Sequence, residues 1–332
     1  MPGPDSNRTE RWLYALKPPS WPKLLVPMVL GIVLGARDRG SLNGAAVAVA
    51  VLFTSADTVF IVLLNDWADQ GVDRVKRNLF PDAGSPKVLV DGILSSRSAL
   101  AVALLAALFA LLVAIVGGAV LERPWLAPGA FCCLTLFVLY SLPPVRLNYR
   151  GGGELLEALG VGAALPWLCA YCQSGALWTD GLWFLPGFVA LSLSSAIASG
   201  LSDEESDRAG GKTTLATVAG NAVARRAAEV SATGGAAWWL ALAAWKPEAM
   251  PIWAVAPAVA VVLLRLRAVV RQSPLATTNR FDALREYKRK LHRVIWDGAL
   301  LLALLLAADA LAAAPHVAAG QPIDPGASSA PR

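Results

Sequence analysis

The stretch Asn65-Asp-Trp-Ala-Asp-Gln-Gly-Val-Asp73 holds the densest chemistry in this 332-residue chain. Asp66, Asp69 and Asp73 stand three and four residues apart, which places three carboxylates on one face of a helix. They follow the apolar run Ala45–Leu64, long enough to span a bilayer core as a helix. Like charges gathered at a membrane edge repel one another, and a cation among them relieves the repulsion. Mg²⁺ suits the task, because it takes hard oxygen ligands and keeps room for waters or substrate phosphates. The competing reading is a solvated acidic cap, but ionisable groups at membrane depth generally mark function.

A second acidic group follows another apolar span: Asp203-Glu-Glu-Ser-Asp207-Arg-Ala-Gly-Gly-Lys212. Asp203 and Asp207 are four apart and share a helical face. Two such clusters at the ends of separate spans suggest two facing metal sites with an anion between them. Arg208 and Lys212 fit as phosphate partners, or else as ordinary positive-inside loop charges.

With these motifs the chain resembles the UbiA superfamily of intramembrane prenyltransferases. The family's first motif, Asn-Asp-x-x-Asp-x-x-x-Asp, is matched at Asn65, Asp66, Asp69 and Asp73. The second, Asp-x-x-x-Asp, is matched at Asp203 and Asp207. The resemblance runs from about Trp21 to Ala314. One departure is Ser85-Pro86-Lys87, where the family often has Arg-Pro; Lys76, Arg77 or Lys87 then stands in for the missing arginine. The resemblance implies Mg²⁺-dependent transfer of a polyprenyl group from its diphosphate to an aromatic acceptor. It implies one metal site at Asn65, Asp66, Asp69 and Asp73 and another at Asp203 and Asp207. Lys76, Arg77, Arg150, Arg208 and Lys212 are the expected diphosphate contacts. Trp67, Tyr140 and Tyr149 offer aromatic faces to a carbocation or anchor the membrane interface. Glu204 and Glu205 assist proton removal or are solvated loop charges.

Two stretches bear on the acceptor. Tyr149-Arg-Gly-Gly-Gly-Glu154 is similar to the corresponding loop of the 1,4-dihydroxy-2-naphthoate, or menaquinone, branch. Its glycines suit a tight turn or a close approach to a ligand, and Glu154 also complements a helix dipole. Asp207–Ala216 is similar to the same branch, apart from Gly210 and Thr213. Arg146 and Tyr149 are the expected acceptor contacts, since a guanidinium pairs well with a carboxylate. Other acceptors stay open: 4-hydroxybenzoate, a porphyrin acid, a sugar phosphate, or none, as in a terpene cyclase. A cation-coupled transporter is the other class, but its site is expected near the midplane on broken helices.

These residues need a membrane scaffold to position them, and the composition supplies one. Hydrophobic residues make up 56%, charged residues 16%, and mean hydropathy is +0.53; a soluble domain carries about a quarter charged. The expected fold is all-α, a polytopic bundle with a central cavity open to the cytoplasmic side. Nine spans are predicted, near 21–35, 45–64, 98–118, 128–142, 154–173, 182–201, 227–245, 249–267 and 294–314. With the N-terminus inside, only Arg37, Arg39, Arg123, Lys246 and Arg332 of the 29 lysines and arginines fall outside. That asymmetry is what the positive-inside rule requires, and it puts both motifs on the cytoplasmic face. The net charge of +5 thus sets orientation and does not call for a nucleic-acid partner. Expected partners are the two substrates and membrane lipid, and the expected site is a bacterial inner membrane with the C-terminus outside. Residues 1–20 read as a cytoplasmic tail with a short interfacial helix, 21–314 as the prenyltransferase domain and 315–332 as a disordered tail. No cleavable signal peptide is visible. Cys132, Cys133, Cys169 and Cys172 lie in apolar runs and read as packing. Phe281, Leu284, Tyr287, Lys288 and Leu291 form a stripe that reads as a membrane-surface helix, with His292 at the interface.

Overall fold

Asn7 starts the first helix, its side chain accepting from the Glu10 amide at 2.8 Å, and the computed structural model follows the chain from there. It describes residues 6–81 and 87–318, with side chains to 309; Ser85, Pro86 and the tail 319–332 lie outside the described residues. The helices are α1 (Arg8–Ala15), α2 (Pro22–Arg39), α3 (Gly44–Ala68), α4 (Gln70–Leu79), α5 (Ser96–Val120), α6 (Leu126–Ser141) and α7 (Gly153–Leu159). They continue with α8 (Leu165–Ser174), α9 (Leu185–Gly200), α10 (Glu204–Ala209), α11 (Leu215–Ala219), α12 (Asn221–Trp245), α13 (Ile252–Gln272) and α14 (Phe281–Ala318). No strand occurs among the described residues.

Each predicted span coincides with helix. Among the described residues, six helical segments are long and apolar enough to cross a membrane, or seven if α1 and α2, bent by 59°, are counted as one. With no water in the bilayer core, helices satisfy their own backbone groups, which is why these runs fold so. The chain is an integral membrane protein.

α2 divides the interior. Leu24, Met28 and Ile32 face one buried cluster, shared with α3, α5, α6 and α8. Val26, Leu30 and Leu34 face the other, shared with α9, α12, α13 and α14. Two glycines let α2 lie directly against α8. A Cβ on Gly31 would sit 2.3 Å from the Pro166 carbonyl oxygen, and one on Gly35 would sit 2.3 Å from that of Ala170. This small-xxx-small spacing brings helix backbones together, so that van der Waals contact replaces the hydrophobic drive lipid cannot give.

Three expectations change. The stretch 65–97 is not simply a loop, because α3 carries through Ala68 and α4 resumes at Gln70. The stripe on 281–291 does not lie on the membrane surface. It forms the first turns of α14, and Leu284, Tyr287 and Leu291 are buried in the bundle. The Tyr287 hydroxyl is 3.2 Å from the Arg225 carbonyl oxygen, so the stripe packs on α12. His292 is likewise not interfacial, since its Nε2 is buried without a hydrogen-bond partner and its ring lies on Trp296. The four cysteines are free thiols, and Cys169 and Cys172 are buried.

Candidate active site

The break between α3 and α4 does not disturb the first motif. The Asp69 amide donates to the Asn65 carbonyl at 3.0 Å, and the Asp73 amide donates to the Asp69 carbonyl at 2.9 Å. Helical spacing therefore persists across Asp69, and Asp66, Asp69 and Asp73 stay in register. Asp66 and Asp69 are buried, as is Asp207 of the second motif.

Lysines join the two motifs reciprocally. Lys76, on α4, donates to the Ser202 carbonyl at 2.9 Å and pairs with Asp203. Lys212, beyond α10, stands 2.7 Å from Asp69 and 3.9 Å from Asp207. Each motif thus sends an ammonium group into the other's carboxylates. Lys87 pairs with Asp73, the position in which the sequence suggested a substitute for the missing arginine. Lys17 pairs with Asp66 at 2.5 Å, reaching it from a left-handed residue (φ 48°) just after α1. Nothing local in the sequence signals Lys17, whose partner lies 49 positions away. Burial, with Lys87 beside it, pushes the Lys76 ammonium down to about 7 even though Asp207 and Asp73 are near.

Tyr149 packs this arrangement from one side. Its hydroxyl donates to Asp69 at 3.1 Å. The Arg146 guanidinium lies 3.5 Å over its ring and the Lys212 ammonium 5.2 Å from the ring centroid. Burial and the Asp69 carboxylate both push the phenol upward, so it remains a donor. The loop after Tyr149 is fastened to the second motif. Glu154 accepts from the Leu215 amide at 2.7 Å, and Gly151, left-handed at φ 89°, lies against the Thr213 methyl group.

Several expected contacts are elsewhere. Arg77 holds Asp91 through two nitrogens, at 2.9 and 2.6 Å. Arg208 is bound to Glu204 at 3.0 Å and to the Thr217 carbonyl at 3.2 Å. Arg150 is exposed and has no side-chain partner among the described residues. Arg146 donates to the Ala68 carbonyl at 2.7 Å, where it braces the end of α3. Glu204 is buried, not solvated, and accepts from Thr278 at 2.7 Å; Glu205 accepts from Asn279 at 2.8 Å. Both tie the second motif to the start of α14. Trp67 and Tyr140 are half-buried, and Tyr140 stacks on Phe137.

Among the described residues, no three carboxylate, thiol or imidazole groups converge as one ligand set. The expected grouping of Asn65 with Asp66, Asp69 and Asp73 is not assembled, because each aspartate turns to a different lysine. The donors still suit Mg²⁺. They are hard oxygens, and the buried Oδ2 of Asp66 has no hydrogen-bond partner. Mg²⁺ commonly takes one or two carboxylates from a protein and completes its shell with water and substrate phosphate.

Known structures share this arrangement of helices. A UbiA homologue from Archaeoglobus fulgidus superposes with a TM-score of 0.65 at 16% identity, covering 92% of this chain and 99% of its own. The same homologue bound to GPP and Mg²⁺ gives 0.65 at 17%, covering 90% and 99%. A UbiA homologue from Aeropyrum pernix K1 gives 0.64 at 16%, covering 83% and 96%. At these identities the likeness is one of fold. No curated protein matches the sequence. The model of the UbiA prenyltransferase family, however, matches residues 24–294, a span that takes in both acidic motifs and the lysines joining them, and the chain belongs to that family.

Proposed function

We propose that this protein transfers a polyprenyl group from a polyprenyl diphosphate to 1,4-dihydroxy-2-naphthoate, with Mg²⁺ as cofactor, on the cytoplasmic side of a bacterial inner membrane. The observation that carries this reading is the reciprocal exchange of lysines between the motifs, Lys76 to Asp203 and Lys212 to Asp69. It makes one charged chamber of two acidic clusters. Asp66, Asp69 and Asp73 on one wall and Asp203 and Asp207 on the other would hold the metal ions. Bound Mg²⁺ would supply Lewis-acid neutralisation of the diphosphate as it leaves. A solved neighbour from Archaeoglobus fulgidus holds DMAPP and Mg²⁺, which supports this assignment.

The chain's own groups do the rest. Lys76, Lys87 and Lys212 sit at the carboxylates as preorganised donors for phosphate oxygens, and such donors gain strength where water is excluded. The Tyr149 hydroxyl donates toward the same place and its ring lies between two cations. Tyr140 and Phe137, stacked on each other, would offer aromatic faces to an allylic cation. Arg77 and Arg208 stay outside this set, engaged to Asp91 and Glu204.

The menaquinone branch rests on the Tyr149–Glu154 loop and on Asp207–Ala216. Glu154 fastens these two stretches to each other, so a change in either is felt by both. The bundle is read as nine crossings with the N-terminus in the cytoplasm and the C-terminus outside. The test offers membranes carrying the protein a radiolabelled polyprenyl diphosphate with each acceptor in turn. Label is expected in the naphthoate product. Label in a hydroxybenzoate product, or in lipid with neither acceptor, rejects the branch and leaves prenyl transfer standing.

A further inference from the structure

A second polar group lies deeper than the carboxylates. α14 enters the bundle at Phe281, whose ring meets Phe80 and lies 5.8 Å from the Lys76 ammonium. Phe281 therefore marks the level of the charged chamber. At about 1.5 Å per residue, Lys288 is about 10 Å further into the bundle and His292 one turn beyond it. α14 packs against α9.

The charges at this level do not balance. Lys23 of α2 pairs with Glu157 of α7, and Lys288 lies within electrostatic reach of both and of Lys17 and Lys87. Among the described residues, however, Lys288 has no hydrogen-bond or ion-pair partner, and the Nε2 of His292 is buried without one. One positive charge, on a half-buried side chain, is left over one helical turn from an imidazole nitrogen with nothing bound to it. Such a group at membrane depth is costly and is retained where a ligand completes it. The helix beside Glu157 also changes to a π turn at Gly160–Ala164, a distortion that recurs at functional sites. Tyr140 lies within electrostatic reach of Glu157 and also of Asp69 and Asp207.

We propose that Lys288, with His292 beside it, receives the carboxylate of an aromatic acceptor in a pocket beneath the diphosphate chamber. This rests on the prenyl-transfer reading above. A monoanion matches the single unpaired ammonium, because Lys17, Lys23 and Lys87 within its reach already hold Asp66, Glu157 and Asp73. An aromatic acid seated on Lys288 extends its ring toward Tyr140 and the chamber, where the allylic carbon is released. The role expected of Arg146 and Arg150 thereby passes to α14, because Arg146 is spent on the Ala68 carbonyl and the Tyr149 ring.

The test fills the upper level first. Protein in nanodiscs is saturated with Mg²⁺ and a non-hydrolysable prenyl thiodiphosphate. It is then titrated calorimetrically with 1,4-dihydroxy-2-naphthoate and 1,4-dihydroxynaphthalene, and with 4-hydroxybenzoate and phenol. Wild type and Lys288→Arg are expected to prefer the acid of at least one pair by about tenfold. Lys288→Gln is expected to lose that preference while its affinities for the neutral compound and the thiodiphosphate stay unchanged. A preference that survives in Lys288→Gln, or that is missing from wild type for both pairs, overturns the proposal. So does tighter binding of ribose 5-phosphate than of either acid. Amine labelling of the wild-type protein, read by mass spectrometry, needs no substitution: the acid should protect Lys288 and its neutral counterpart should not. Equal labelling with both overturns the proposal too. Mg²⁺-dependent release of pyrophosphate from the true donor is followed separately. Its absence, with acid binding intact, would overturn the reaction and leave the pocket.

Discussion

At the scale of residues, one of the two joining lysines draws a carboxylate of each motif to a single ammonium group. Lys212 touches Asp69 and approaches Asp207, so these carboxylates work as a unit and not as two independent ligands. Asp69→Asn and Asp207→Asn should each lower kcat by about 10²-fold or more, the order found when a preorganised charge partner is removed. The double substitution should cost little beyond either single one, because members of one unit are not additive. Steady-state kinetics with excess Mg²⁺ would decide this, and full activity of the double variant would sink the shared site. The aspartates were legible in the sequence because their chemistry is written in their spacing. Their lysine partners were legible only in part: Lys76, Lys87 and Lys212 stood among the candidate cations, but so did Arg77 and Arg208. Lys76 and Arg77 are neighbours, hence about 100° apart on α4. One faces Ser202 and Asp203, the other Asp91. Which of two adjacent cations enters a site depends on the helix packed beside them, and spacing alone does not contain that. Lys17 and Lys288 escaped for the same reason, since each meets its surroundings only across the folded bundle.

At the scale of elements, α2 does what no motif announces. The predicted span ended near residue 35, yet the helix extends over Pro22–Arg39 with Pro27 inside it. Its importance lies in Gly31 and Gly35, where backbone meets backbone. Gly35→Val should destabilise the protein by about 1–3 kcal/mol, the usual cost of overpacking, since a carbonyl oxygen cannot yield as a flexible side chain can. Thermal unfolding in detergent would show a lower Tm, with Gly44→Ala, which meets nothing within 4 Å, as the neutral control. The positions of the spans were readable because about twenty apolar residues have few other uses. Their continuations were not. α12 begins at Asn221 and carries Arg225 and Arg226 in its early turns, and α14 absorbs a basic stretch that composition alone assigns to the membrane surface. In both, burial of one stripe against a neighbour outweighs the charge on the other faces.

At the scale of the whole molecule, the orientation of the bundle follows from its lysines and arginines. Cysteine reporters in 143–153, 202–226 and 268–280 should be labelled from the cytoplasm, together with one at Arg74; labelling of position 205 from outside would contradict the nine-crossing arrangement. The pairing of Lys17, Lys76, Lys87 and Lys212 with the aspartates has a thermodynamic consequence as well. With these pairs in place each of the four lysines is already answered, so the first arrival, metal or diphosphate, must break pairs that the second then finds broken. The two ligands should therefore be reciprocally linked, each tightening the other by the same factor. Calorimetric titration of Mg²⁺ with and without a prenyl thiodiphosphate, and of the thiodiphosphate with and without Mg²⁺, should close this cycle with a coupling of about 1–3 kcal/mol. In Lys212→Ala, where one latch is already open, the coupling should shrink. The resting chamber is thus a self-neutralised lock that neither ion opens well alone, which keeps free pyrophosphate and stray cations from occupying a site that has no prenyl chain to transfer.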